Sequence, residues 1–195
     1  MSAMEKRMTD TTIPPTPTLT GSRVRLRSLR AGDADALFAL QSDPRVMRYW
    51  SHPPWTERAQ AVERIAQLER DRATSEFYSW AATLDGGDTL AGTGALFAIS
   101  RPHARGEIGY SLCADRWGKG YAREIVQLII SFAFETLGLE RLEADIDPRN
   151  VASCRLVERA GFAREGLLRA RWRVAGEITD SAIYGRLRGE ANARA

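Results

Sequence analysis

The densest chemistry in this chain lies in the sixteen residues from Glu107 to Ala122, E-I-G-Y-S-L-C-A-D-R-W-G-K-G-Y-A. A short alternating strand feeds a glycine-rich turn, and the turn opens directly into a long amphipathic helix. The first turn of a helix has N–H groups without intrahelical partners and the positive end of the helix dipole. Small residues at Gly118 and Gly120 let the main chain come close to a ligand there. Trp117-Gly118-Lys119-Gly120-Tyr121-Ala122 is therefore read as a cradle for the phosphates of a cofactor, held largely by backbone. A plain strand-to-helix turn is the alternative. Other nucleotide loops fit less well: a G-x-G-x-x-G fingerprint would need glycine at Arg123, and no G-x-x-x-x-G-K-[ST] segment exists.

The elements that must position this turn are legible on either side. Arg23 to Leu29 alternates as a half-exposed strand, Asp33 is a plausible N-cap for a short helix through Leu40, and Asp43-Pro44 ends that helix. A second helix is expected from Thr56 to Arg72, then a hairpin of Ser79–Leu84 and Leu90–Ile99 about the Gly86-Gly87 turn. Gly106 to Leu112 is the next strand. The central helix should run from Tyr121 to Leu137, with Ile125, Leu128, Ile129 and Phe132 at core spacing and Gly138 past its end. Arg141–Ile146, a helix over Asn150–Ala160 with Gly161 following it, and strands Phe162–Leu168 and Ile178–Leu187 complete the pattern. One strand–helix–strand unit beside antiparallel strands gives an α+β, or mixed α/β, class with about seven strands in one sheet.

Composition limits what this fold can be for. A chain of 195 residues suits one domain with a sizeable core. Residues 1–18 are expected as a flexible Thr/Pro-rich leader, 19–188 as the domain and 189–195 as a tail. The net charge of +3 rests almost entirely on arginine, for Lys6 and Lys119 are the only lysines. These arginines alternate with acids and form no basic block, which argues against a nucleic-acid protein. Cys113 and Cys154 belong to no C-x-x-C pair, so no metal site is expected and a reducing cytoplasmic setting fits best. No apolar run reaches the length of a membrane span.

The order of elements, with W-G-K-G-Y-A opening the central helix, resembles the GNAT superfamily of acetyl-CoA-dependent N-acetyltransferases. The closer likeness is to the branch that acetylates N-terminal residues of ribosomal proteins. Carrying it are T-L-T-G-S-R-V-R-L-R-S-L, Gly106-Glu107-Ile108-Gly109-Tyr110, W-G-K-G-Y-A and Asn150-Val151-Ala152-Ser153-Cys154-Arg155. Gly161-Phe162, Glu165-Gly166, Asp180 and Tyr184 follow in the same order. The likeness spans roughly Leu19 to Leu187. One departure is that Trp117 stands where the general superfamily pattern has Gln or Arg.

The resemblance implies acetyl-CoA as co-substrate and acetyl transfer to a primary amine by direct attack in a ternary complex. Glu107 is the candidate general base: alternation sets Glu107, Gly109 and Ser111 on one strand face, and neighbouring glycines should leave room for an amine or a water. A solvated strand carboxylate is the bland reading. An N–H near Leu112 would polarise the thioester carbonyl. Asn150 caps its helix and, by resemblance, contacts the cofactor. Ser153 is the first candidate to protonate the leaving thiolate and Tyr184 the second.

His52 and His103 are expected at the surface, with His52 kept as an acceptor-side candidate because Y-W-S-H-P-P-W surrounds it. Arg164, Arg169, Arg171 and Arg173 about Trp172 read as a solvated edge or as an acceptor or dimer surface. The family's habits suggest a homodimer. Two other readings stay open on the sequence: an acyl-CoA-binding module without catalysis, and a polyamine, amino acid or aminoglycoside as acceptor in place of a protein N-terminus.

Overall fold

The computed structural model describes residues 16–71 and 77–190. Residues 1–15 of the expected leader, Arg72 at the end of the second helix, and 191–195 of the expected tail lie outside them. One eight-stranded sheet forms the frame: β1 (Leu19–Thr20), β2 (Val24–Ser28), β3 (Tyr78–Leu84), β4 (Gly92–Ser100), β5 (Arg105–Leu112), β6 (Arg141–Ile146), β7 (Ala163–Val174) and β8 (Glu177–Leu187). Their order across the sheet is β1-β2-β3-β4-β5-β6-β8-β7. Every pairing is antiparallel except β5 with β6. The class is as expected, with one strand more. β1 pairs Leu19 with Leu26 and Thr20 with Arg25 after a turn at Gly21-Ser22, and two residues carry no period to read.

Among the described residues five α-helices cover the two faces: α1 (Ala34–Ser42), α2 (Pro44–Met47), α3 (Arg58–Asp71), α4 (Tyr121–Ser131) and α5 (Val151–Arg159). α4 and α5 bury Ile125, Val126, Ile129 and Val157 against Leu26, Trp80, Leu96, Leu142 and Tyr184. The first three helices pack Leu37, Leu40, Val46, Ala61 and Ile65 around Ala81 and Leu90 on the other face. Glycine at 94 lets α4 lie close, since a Cβ there would stand 2.9 Å from the Ile129 Cδ1.

Several local expectations are corrected. Asp33 makes no side-chain cap; its buried carboxylate takes both Nη groups of Arg27, at 2.8 and 2.7 Å, and the Arg30 N–H. Asp43-Pro44 ends α1 but also starts α2, with the Asp43 carboxylate accepting the Arg45 N–H. The last turn of the central helix, Phe132–Thr136, is π-helical, and the wider turn lets Phe132, Ala133 and Phe134 all be buried. β7 runs on to Val174 because its pairing with β8 resumes from Trp172 to Val174; its outer half, Arg169 to Arg173, is exposed and offers no apolar pattern to read. A turn at Ala175-Gly176, both at positive φ, closes the hairpin with β8. Among the described residues no helix is long and apolar enough to cross a membrane.

Candidate active site

β5 is the strand about which the site is built. It pairs with β6 only from Arg105 to Glu107, against Arg141 to Glu143, and then the two strands part. The Cys113 N–H donates to the Ala91 carbonyl at 2.8 Å, which fixes the phase of the ladder with β4. Alternation then turns the peptide groups of Ile108, Tyr110 and Leu112 toward the open side. The Leu112 carbonyl is already taken, accepting the Trp117 indole N–H at 2.8 Å. Trp117 thus locks the glycine turn onto the end of β5.

The turn itself has the expected form. Gly118 and Gly120 sit at φ +74° and +85°, and no atom approaches within 4 Å of the place a Gly118 Cβ would take. Gly120 is the N-cap of α4 and offers no side chain, so the first N–H groups of the helix are left for another acceptor. Lys119 folds its ammonium back onto the Asp115 carbonyl at 3.2 Å. Tyr121 turns inward: it is 7% exposed and its hydroxyl donates to Asp85 at 2.5 Å, so only its main chain faces the turn. Ala122 lies partly buried beside it.

Arg23, from the other end of the chain, completes this corner. Its guanidinium donates to the Lys119 carbonyl at 3.1 Å and stacks 4.8 Å from the Tyr121 ring centre. Glu124 holds it there by accepting the Arg23 and Val24 N–H groups at 2.8 and 3.1 Å. Nothing in the sequence links residue 23 to a turn almost a hundred positions later. The arrangement fits a pyrophosphate: open glycines, free N–H groups, a helix N-terminus and a cation at the rim.

The two proton-transfer candidates lie on opposite faces of the sheet. Glu107 faces the α1–α3 side, in a cross-strand row with Phe97 and Glu143. Burial pushes its carboxyl up to about 7, reinforced by Asp145 and Glu143, while Arg171 and Arg105 pull the other way. The expected space beside it is only partly there. A Gly109 Cβ would stand 3.3 Å from the Phe97 ring, and a Gly106 Cβ would meet Leu139, Leu96 and Ile99 on the far face. Phe97, not the glycines, shapes the wall next to Glu107.

Ser153 faces the other side, in the first turn of α5. Asn150 caps that helix by accepting the Ser153 N–H at 3.1 Å. The Ser153 hydroxyl shares a 2.6 Å hydrogen bond with the hydroxyl of Tyr110, which burial pushes up to about 12. Tyr110 was not singled out as a site residue from the sequence, where it reads as the core face of β5. Tyr184 is 2% exposed, and its hydroxyl donates to Glu158 at 3.2 Å. It stands next to Cys154, with its pKa raised first by burial. The Cys113 thiol is likewise pushed up by burial, which disfavours the thiolate a nucleophile needs.

The loops at the rim meet through Arg149. It pairs with Asp147 at 2.6 Å and with Glu177 at the tip of the last hairpin, and lies 5.9 Å from the ring centre of Tyr49. The segment holding Tyr49, Trp50 and His52 therefore borders the loop that leads into Asn150. His52 packs its ring 5.7 Å from that of Trp50, and His103 is exposed in the β4–β5 turn. Among the described residues no group of three or more His, Cys, Asp or Glu side chains is placed to hold a metal ion.

Comparison with known proteins gives this geometry its family. Residues 23–163 match the model of the acetyltransferase (GNAT) domain. An uncharacterized N-acetyltransferase p20 of Bacillus licheniformis is 34% identical over 173 residues, covering 89% of this chain and 97% of that protein. Two solved structures share the fold. One is a ribosomal-protein-S5-alanine acetyltransferase from Vibrio fischeri, with TM-score 0.77 and 21% identity over 89% of this chain and 97% of that one. The other is a spermidine N-acetyltransferase from Vibrio cholerae in complex with CoA and spermine, with TM-score 0.78 and 23% identity over 87% and 98%. The chain belongs to the GNAT family and is an acetyl-CoA-dependent N-acetyltransferase.

Proposed function

We propose that the acceptor is the α-amine of a protein N-terminus, acetylated by direct attack on acetyl-CoA in a ternary complex. The observation that carries this reading is the half-buried Glu107 carboxyl, which titrates near 7 on the helix-covered face beside the strand opening. An α-amine has a pKa near 8, so a base near 7 is matched to it, whereas a lysine amine near 10.4 is mostly protonated at neutral pH.

Acetyl-CoA supplies an acetyl group already activated as a thioester. The peptide N–H groups of residues 117–122 and the Arg23 guanidinium are the groups that would hold its phosphates. The outward N–H groups of Tyr110 and Leu112 would receive its pantetheine arm and the charge developing on the thioester oxygen. Asn150, the N-cap of α5, whose side-chain Nδ2 has no partner among the described residues, would support the arm from the loop after β6. Glu107 takes the proton of the amine on one face of the sheet. On the opposite face Ser153, oriented by Tyr110, returns a proton to sulfur. Tyr184 remains the second candidate, but its hydroxyl already serves Glu158. Binding both reactants across one opening accounts for much of the rate.

A specific observation favours a second reading. Asp145 lies one strand from Glu107 on the same face and among the described residues bonds only the Ser181 hydroxyl, whereas Glu143 is flanked by Arg105 at 2.9 Å and Arg141 at 2.8 Å. Neither Asp145 nor Glu107 has an ion pair among the described residues, although Arg171 and Arg105 act on Glu107 from nearby, and two such carboxyls suit a small polyamine. Acetylation assays with N-terminal peptides and with spermidine side by side decide the matter: turnover of spermidine alone would overturn the protein-terminus reading. The domain as proposed runs over residues 19–188 in a cytosolic protein, with self-association into a dimer.

A further inference from the structure

The wall beside Glu107 continues outward in a direction that the chemistry of the reacting amine does not need. Phe77, Phe97 and Glu107 stand in one cross-strand row over β4, β5 and the residue preceding β3, on the face covered by α3. The two phenylalanine rings lie 5.9 Å apart at a 30° tilt. Arg64, on α3, places its guanidinium 5.1 Å from the Phe77 ring centre. Beyond it a groove of about 560 Å³ runs along α3, lined by Trp55, Gln60, Glu63, Arg64 and Gln67.

The charges along this track are unevenly matched. Glu63 is paired with Arg70 at 2.6 Å, Gln67 is bonded to Asp71, and Gln60 accepts the Thr56 and Glu57 N–H groups. Arg64 has neither a hydrogen bond nor an ion pair among the described residues, only the ring beneath it. The side chain is exposed; the protein packed about its guanidinium lowers its pKa, with Asp71 opposing. An arginine laid on an aromatic face with its donor edge open is arranged to receive a carboxylate.

The spacing says where on an acceptor that carboxylate would be. Strands are separated by about 4.8 Å, so Phe77 lies about 10 Å from Glu107. An extended peptide advances about 3.3 Å per residue and covers that distance in about three residues. We infer, resting on the N-terminal reading above, that the acceptor lies extended along Phe97 and Phe77 and that Arg64 binds an acidic side chain at its third or fourth residue. A polyamine reaching as far would bring a second ammonium up to the Arg64 guanidinium, like charge to like.

The test uses the full chain, acetyl-CoA and three hexapeptides with N-terminal serine: one with glutamate at positions three and four, one with lysine there and one with alanine. The acidic peptide should exceed the basic one about fivefold or more in kcat/KM, through KM, as a partly exposed ion pair allows. Arg64→Gln should erase the preference and Arg64→Glu reverse it, with the KM for acetyl-CoA unchanged in both. Equal kcat/KM for the three peptides, or a preference that survives both substitutions, would overturn the inference while leaving N-terminal acetylation standing. Turnover of spermidine with none of the peptides acetylated would instead overturn the reading beneath it.

Discussion

The hydroxyls of Tyr110 and Ser153 lie 2.6 Å apart, one on β5 and one on α5, across the place where β5 and β6 separate. The strand thus reaches over its own opening to fix the rotamer of the serine. A lone serine hydroxyl turns freely, whereas one held by a buried phenol is aimed. Ser153→Ala is expected to lower kcat about 10- to 100-fold, in the range of a lost proton donor. Tyr110→Phe should do nearly as much. Because the two act as a unit, the double variant should fall no further than Ser153→Ala alone, which steady-state rates in a double-mutant cycle measure.

Removing Glu107 should separate binding from turnover. Glu107→Gln is expected to lower kcat/KM about 100- to 1000-fold while leaving the dissociation constant for acetyl-CoA within about twofold. In the wild type the rate should rise with pH through about 7, where this carboxyl loses its proton. That limb of the profile should vanish in the variant.

The same residue makes a stability prediction of opposite sense. Its carboxyl is raised from 4.5 to about 7 in the folded protein, by burial first and then by Asp145 and Glu143. Between those values the folded state binds more protons than the unfolded, so stability declines as pH rises through that window. Glu107→Gln carries no such charge and should be the more stable protein at pH 8, by about 1–2 kcal/mol once solvent screening is allowed for. Denaturant melts at pH 5 and pH 8 would show the difference growing with pH; a constant difference would refute it.

Gly120→Ala probes the proposed phosphate cradle. The residue sits at φ +85°, and a Cβ would stand 3.2 Å from an Arg23 Nη. Left-handed backbone costs a non-glycine residue about 1–2 kcal/mol, so a drop of that size in unfolding free energy is expected. Weaker binding of acetyl-CoA should accompany it, read by calorimetric titration, because the displaced guanidinium belongs to the same corner.

Arg27 and Asp33 form the buried ion pair behind α1, 8% and 4% exposed. Burial acts to raise the Asp33 pKa, but the Arg27 hydrogen bond and the Arg30 N–H overcome it, and the carboxyl titrates below its usual range. Its contribution is therefore present above pH 4 and lost as pH falls through the lowered value. Arg27→Ala leaves Asp33 buried with only the more distant Arg30, 4.0 Å away, as its cation and should destabilise by about 3 kcal/mol at pH 7. The gap from wild type should narrow toward pH 3.

Much of this architecture can be read along the chain because it depends on neighbours in sequence. The period of Ile125, Leu128, Ile129 and Phe132 marks the central helix, the glycines at 118 and 120 mark the turn before it, and Asn150 marks the start of α5. Two-residue β1 and the solvated outer half of β7 carry no alternation to detect, and the π turn at Phe132 continues the helical spacing, which does not reveal its wider winding. Asp33 reads as a cap because an acid before a helix has that local option, and only the fold shows that Arg27 claims it first.

Most of the elements, the glycine turn at 118–120 and the family are legible in residue types at short, fixed spacings. Tertiary structure alone decided which groups meet. It brought Arg23 to Lys119 and Tyr110 to Ser153, set Phe97 against Glu107, and gave that carboxyl its near-neutral titration. Each of these depends on strand register and on burial, and both arise only when segments far apart in the chain pack against one another.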